Sequence, residues 1–122
     1  MEIHSYQDLI VWQKGMTLTK LIYQKTNGFP RSEIFGLTSQ MRRAAVAIPS
    51  NIAEGFSRRH RKEYRQFLLI AFGSGAELET QLLIAQDLHL LKNEDFIRIN
   101  DLLGEIQRML NKIITILNKS LE

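Results

Sequence analysis

Three features of the sequence predict an all-α fold, an antiparallel up-down four-helix bundle. Apolar residues recur at alternating steps of three and four along most of the chain. That spacing lines one stripe of an α-helix and favours packing at shallow angles. Only short turn signals interrupt the rhythm, so successive helices run antiparallel. The chain has 122 residues with 7 glycines and 2 prolines, the size of one domain and too poor in turn formers for an all-β fold. A single domain over residues 1–122 follows.

The first helix carries Leu9, Trp12, Met16, Thr19 and Tyr23 on its stripe and ends at Asn27-Gly28-Phe29-Pro30. The second opens at Ser32 and carries Ile34, Leu37, Met41, Ala44 and Ile48. Pro49 stands inside it. Proline lacks an N–H and clashes with the preceding turn, so a kink or restart is expected. Ser50 or Asn51 is expected to satisfy the freed backbone groups, and Gly55 to cap the C-terminus. The third helix carries Tyr64, Leu68, Ala71, Gly75, Leu78, Leu82, Ala85 and His89. Gly73 and Gly75 within it cost about 1 kcal/mol each relative to alanine. They fit close approach of a helix or ligand, or a small-residue packing groove, and the unbroken rhythm favours packing. After Lys92-Asn93, where Asn93 is the expected cap, the fourth helix carries Phe96, Ile99, Leu103, Ile106, Leu110, Ile113 and Leu117.

Two stripes are wider than one core needs. The third helix adds Phe67, Leu69, Ile70, Phe72, Leu83, Ile84 and Leu88; the fourth adds Leu102, Met109 and Ile116. A helix apolar over more than one face is central or buried against another chain, so a homo-oligomer is expected. No segment approaches the roughly 18 consecutive apolar residues of a membrane span. The first residues lack the pattern of a signal peptide, and there is no cysteine. The expected setting is cytoplasmic, with no membrane partner.

Catalytic constellations are missing. His4, His60 and His89 lie in different segments, without His-Glu-x-x-His or Glu-x-x-His spacing, so no metal site is expected. Gly73-Ser74-Gly75 lacks the Lys of a phosphate loop and the context of a nucleophile elbow. Glu77 and Glu79 point to different sides of a helix. The expectation is a protein that is not an enzyme and has no cofactor.

Charge is more informative. Between residues 42 and 65 stand Arg42, Arg43, Arg58, Arg59, Arg61, Lys62 and Arg65 against Glu54 and Glu63, a net +5, whereas the rest of the chain is net −2. Six of the seven are arginines, whose planar fork suits phosphate. Cations at a helix start oppose the macrodipole, so the cluster points outward to an anion rather than to local stability. Phe56 and Tyr64 stand beside it as candidate base-stacking groups, with Tyr64 better placed in the core stripe.

The run from Phe35 to Gly55, FGLTSQMRRAAVAIPSNIAEG, resembles the signature of the four helix bundle protein family, also called 23S rRNA-intervening sequence proteins. Similarity extends to Leu9-Ile10-Val11-Trp12-Gln13-Lys14, to Phe29-Pro30, to residues 67–74 and to Glu77-Leu78-Glu79-Thr80, spanning roughly residues 5–91. Gly15, where alanine is usual, and Gly75, where a larger apolar residue often stands, depart from the pattern. The resemblance implies a small bacterial bundle assembling as a homopentameric barrel. Some relatives are encoded within ribosomal RNA genes, and a related branch is the accessory protein of diversity-generating retroelements, which binds nucleic acid and a reverse transcriptase. It implies no catalytic residues. The resulting expectation is a non-enzymatic homo-oligomer binding RNA or DNA through the seven basic residues. The rival expectation is a protein-interaction scaffold or accessory subunit working through the apolar faces of the third and fourth helices.

Overall fold

The computed structural model describes residues 2–121. Four helices, α1 (Ile10–Thr26), α2 (Leu37–Ser57), α3 (Arg61–Asp87) and α4 (Asn93–Ser120), account for most of them; two short 3-10 turns lie at Tyr6–Asp8 and Arg31–Glu33. Neighbours run antiparallel. Lys14 and Lys25 on α1 pair with Glu105 and Asp95 on α4 at 2.8 and 3.1 Å. Arg65 of α3 reaches Asn118 of α4, while at the other end of the pair Gln86 reaches Asn93. The backbone contacts form the circuit α1–α2–α3–α4–α1, and among the described residues neither diagonal pair joins it. This is the packing that a 3/4 stripe produces.

The stripes of α2, α3 and α4 build most of the core, but on α1 the expected stripe is out of phase: Val11, Leu18, Leu21 and Ile22 are buried, whereas Leu9 and Trp12 are only partly covered and Tyr23 is exposed, as is Ile34 ahead of α2. Leu18, Ile22, Met41, Ile48, Leu78, Leu103 and Ile106 are completely buried, each worth about 1.5–3 kcal/mol in surface removed from water. Ser5 caps the first turn in a capping box with Asp8. The backbone N–H groups of His4, first, and Ser5 hold the Asp8 carboxyl below its usual pKa.

Pro49 neither breaks nor restarts α2, which runs unbroken from Leu37 to Ser57. Lacking an N–H, Pro49 leaves the carbonyl of Ala45, four residues earlier, without its helical donor. Thr19 of α1 stands in for it in part: its single hydroxyl hydrogen is shared between Gly15 O at 2.8 Å, in its own helix, and Ala45 O at 3.1 Å. The expected rescuers act differently, since Asn51 donates to Ala47 O at 2.7 Å. Gly15 faces the proline ring, and a Cβ there would sit 3.4 Å from Pro49 Cβ. That is ordinary contact distance, so alanine would fit there too.

Other boundaries also shift. The second helix begins at Leu37 rather than Ser32, because Arg31–Glu33 forms its own tight turn and Glu33 Oε1 accepts the Leu37 N–H at 3.1 Å. Gly55 lies inside α2 and does not cap it; Arg58 is the C-cap, followed by Arg59 in the left-handed region at φ 60°. What Gly55 provides is closeness to α3: a Cβ there would lie 2.7 Å from Phe67 Cβ and 3.3 Å from Tyr64 O. At the end of α3, His89 (φ 58°) takes the left-handed position, with Leu90 N–H bonded to Ala85 O at 2.9 Å and His89 N–H to Gln86 O at 3.0 Å. That is a Schellman closure. Asn93 opens α4, but Lys92 is the N-cap residue and no side chain bonds there.

The two α3 glycines differ. The amide of Gln107 from α4 occupies the space a Cβ at Gly75 would need, and its Nε2 donates to Phe72 O at 2.8 Å. Gly73 faces open space. By length and composition α3 is also apolar enough to cross a membrane, beyond what the expectation of no such segment allowed; here it packs between α2 and α4.

Three stability outcomes follow. Thr19→Val strips the Ala45 carbonyl of its donor and is expected to cost about 1–2 kcal/mol in urea unfolding. In a Pro49→Ala background, where residue 49 regains an N–H, that cost falls below about 0.5 kcal/mol; an additive double-mutant cycle would refute the compensation. Gly55→Ala is expected to destabilise by about 1–3 kcal/mol through overpacking. Gly104→Ala, which meets only the tip of Arg108 at 3.2 Å, gains about 1 kcal/mol from helix propensity in the same melts.

Candidate nucleic-acid interface

The structure divides the seven basic residues into two groups. Arg42 and Arg43 lie near the start of α2, and the other five surround its end. Sixteen residues of helix at 1.5 Å each separate Arg42 from Arg58 by about 24 Å. They are not one patch.

The elbow joining α2 to α3 spans residues 58–60. Arg58 ends α2, Arg59 turns left-handed, and His60 is extended ahead of Arg61. A left-handed residue other than glycine costs roughly 1–2 kcal/mol, so an arginine here gives up stability that glycine would keep. Arg61 and Lys62 form the first turn of α3. Arg61 Nη1 donates to Ser120 Oγ at 3.1 Å, and Arg65 Nη1 to Asn118 Oδ1 at 3.3 Å, both near the C-terminal end of α4. Contrary to the expectation from α3 alone, the cluster therefore does gain from helix dipoles: it sits at the C-terminal ends of α2 and α4, where cations are favoured.

Carboxylates do not neutralise it. Arg58 alone has acidic partners, Glu54 at 3.9 Å and Glu63 at 3.8 Å, long contacts between exposed groups that contribute little. Arg58 also lies over the Phe67 ring at 5.4 Å. Among the described residues no carboxylate comes within 4.0 Å of Arg59, Arg61, Lys62 or Arg65. The Nε of Arg65 is buried without a partner.

Phe56 and Tyr64 stack edge to face, with ring centroids 5.8 Å apart. Burial pushes the Tyr64 hydroxyl pKa up, as expected for a core residue. Together with Ile3, Arg59, His60 and Arg61 they line an open groove of about 430 Å³. The groove sets an aromatic wall beside guanidinium groups. Sequence reasoning missed Ile3 and its neighbour His4, because the folding of the N-terminus across the elbow leaves no local pattern.

At the other end of α2, Arg42 is tied down. Its Nε donates to Thr26 Oγ1 at 2.9 Å, its Nη2 to Tyr23 O at 3.4 Å, and its guanidinium lies 4.7 Å from the Tyr23 ring centroid. Arg43 is exposed. Arg31, outside the basic window, joins them around a larger groove; only the turn at residues 27–36 brings it there. Among the described residues, no three His, Asp or Glu side chains gather as a metal would require.

Fold and surface together define a small helical bundle with a cationic elbow. The sequence matches the 23S rRNA-intervening sequence protein family over residues 7–112, and the chain belongs to that family. A crystal structure of a protein of unknown function from the S23 ribosomal protein family of Bacteroides thetaiotaomicron shares the fold: TM-score 0.78, 24% identity, covering 86% of this chain and 98% of that one. No curated protein matches the sequence.

Proposed function

We propose that this protein is a non-enzymatic, homo-oligomeric bundle that binds RNA or DNA through phosphate contacts at the α2–α3 elbow. One observation supports the reading: Arg59, Arg61, Lys62 and Arg65 stand together, and among the described residues no carboxylate lies within 4.0 Å of them. Five cationic residues within eight positions attract a polyanion through counterion release, largely without regard to sequence. The Phe56–Tyr64 groove offers an apolar wall for an unstacked base. Arg42 and Arg43 lie too far along α2 to share the elbow's contacts with one short stretch of strand.

The measurement is a salt titration. The slope of log K against log salt is expected to be negative, and Ala at positions 59, 61, 62 and 65 to flatten it by about 0.7–0.9 for each phosphate that is no longer neutralised. A slope near zero in the parent protein, or one unmoved by the four substitutions, sinks the proposal. Arg59→Gly separates binding from folding. It relieves the left-handed backbone and raises stability by about 1 kcal/mol while weakening nucleic-acid binding.

A second reading rests on the apolar faces. Leu69, Ile70, Leu83, Ile84 and Leu88 on α3 and Ile97 and Ile116 on α4 are exposed, Leu83 at 49% and Ile116 at 55%. Apolar side chains gathered on two helices suit another protein surface. A second copy of the chain is the occupant that joins this reading to the first, and repetition of the elbow around a ring adds weak phosphate contacts by multivalency. The number five is supported by the family resemblance alone. Light scattering is expected to give a multiple of 14.2 kDa, and Leu83→Glu with Ile116→Glu to give the monomer. A parent protein already monomeric at micromolar concentration removes the assembly. If those two substitutions abolish capture of a protein partner while the elbow substitutions do not, the scaffold reading replaces the first.

A further inference from the structure

We infer that the groove between the end of α1 and the start of α2 binds a phosphate ester of about mononucleotide size, independently of the elbow. The groove holds about 690 Å³, too roomy for a bare anion and within the roughly 300–1,000 Å³ typical of small-molecule sites. Arg31, Arg42 and Arg43 line it, and no carboxylate does. Glu33, close by in sequence, is occupied by the Leu37 N–H. Among the described residues no acid lies within 4.0 Å of any of the three guanidinium groups.

The three arginines are not equivalent. Arg42 is preorganised by a chain of donors: it donates to Thr26 Oγ1, and Thr26, 2% exposed, donates in turn to Ile22 O at 2.7 Å. Its direction is thereby fixed before any ligand arrives. Arg31 and Arg43 are exposed and free to close on a ligand as a fork. Tyr23, Ile34 and Val46 supply apolar wall.

An independent observation points to the same place. Thr38, in the first turn of α2, also lines the groove. It is 6% exposed, and its hydroxyl is buried with no hydrogen-bond partner. A threonine deeper in a helix would donate to the carbonyl four residues back, but at Thr38 that carbonyl belongs to Ile34, outside the helix. A buried hydroxyl without a partner costs about 1–3 kcal/mol; a turn of the Thr38 side chain toward the groove it lines would let a phosphate or ribose oxygen supply what the described residues do not.

The test is calorimetric titration of the full chain with AMP, UMP, adenosine and inorganic phosphate. AMP or UMP is expected to bind saturably and adenosine about tenfold or more weakly. Arg31→Gln and Arg43→Gln are each expected to weaken nucleotide binding about tenfold, the scale of a charge-assisted contact. Thr38→Val is expected to weaken it several-fold while leaving the melting temperature unchanged or higher, which separates a ligand role from a structural one. Ala at positions 59, 61, 62 and 65 should leave it unchanged. A 5′-phosphorylated trinucleotide that binds more tightly than AMP assigns the ligand to a strand end, and one that binds equally or less tightly assigns it to free nucleotide; either sustains the site. No saturable binding of any phosphate-bearing probe overturns the inference. So does adenosine binding as well as AMP, insensitivity to Arg31 and Arg43, or loss of AMP binding in the elbow variant.

Discussion

One unpaired carbonyl governs the middle of this bundle. Pro49 deprives Ala45 of its helical donor, and α2 stays whole because α1 brings Thr19 within 3.1 Å of that oxygen. Gly15 of α1 lies against the proline ring, at a distance where an alanine Cβ would make ordinary contact. Thr19 and Pro49, far apart in sequence, thus act together. Backbone pairing is obligatory in a buried setting, so the separation and register of α1 and α2 follow from it. Both cationic regions hang from α2, one near each end, and inherit their placement from this contact.

The elbow shows how charge can serve two masters. Its cations complete the C-terminal ends of α2 and α4, which is reason enough for some of them to be there. Yet dipoles offer only partial charges, and among the described residues carboxylates reach Arg58 alone. Most of the positive charge stays available. The left-handed backbone at Arg59 sharpens the point, since glycine would fit at lower cost. His89 occupies the same conformation at the α3–α4 turn, where no cluster of like charge surrounds it. Backbone strain by itself is therefore silent about function, and what distinguishes the elbow is the company Arg59 keeps.

The helices were legible in the sequence because burial imposes a period, and the central stripe residues of α2, α3 and α4, from Leu37 to Ile48, Leu68 to Ala85 and Ile99 to Leu110, are buried on schedule. On α1 the expected stripe is one position off, because apolar residues lie on both sides of that helix and Val11, Leu18 and Ile22 are the ones that turn inward. Surplus apolar residues such as Leu83 and Ile116 were likewise legible as surplus, and they lie exposed. The errors came where one segment's fate depends on another. Pro49 read as a kink or a restart, and the restart does not occur, because Thr19 belongs to another helix and its pairing with Ala45 leaves no local trace. Gly55 read as a cap because tight packing against Phe67 and a left-handed turn call for the same residue. The basic window read as one surface because a linear count ignores the length of a helix. Arg31 was missed for the converse reason, since a turn carries it back beside Arg42.

The unbroken course of α2 has a mechanical consequence. A rod transmits tilt from end to end, and its softest joint is the turn held by a borrowed hydroxyl rather than its own amide. That turn lacks one backbone hydrogen bond, so it is where the two halves of α2 are held to each other least tightly.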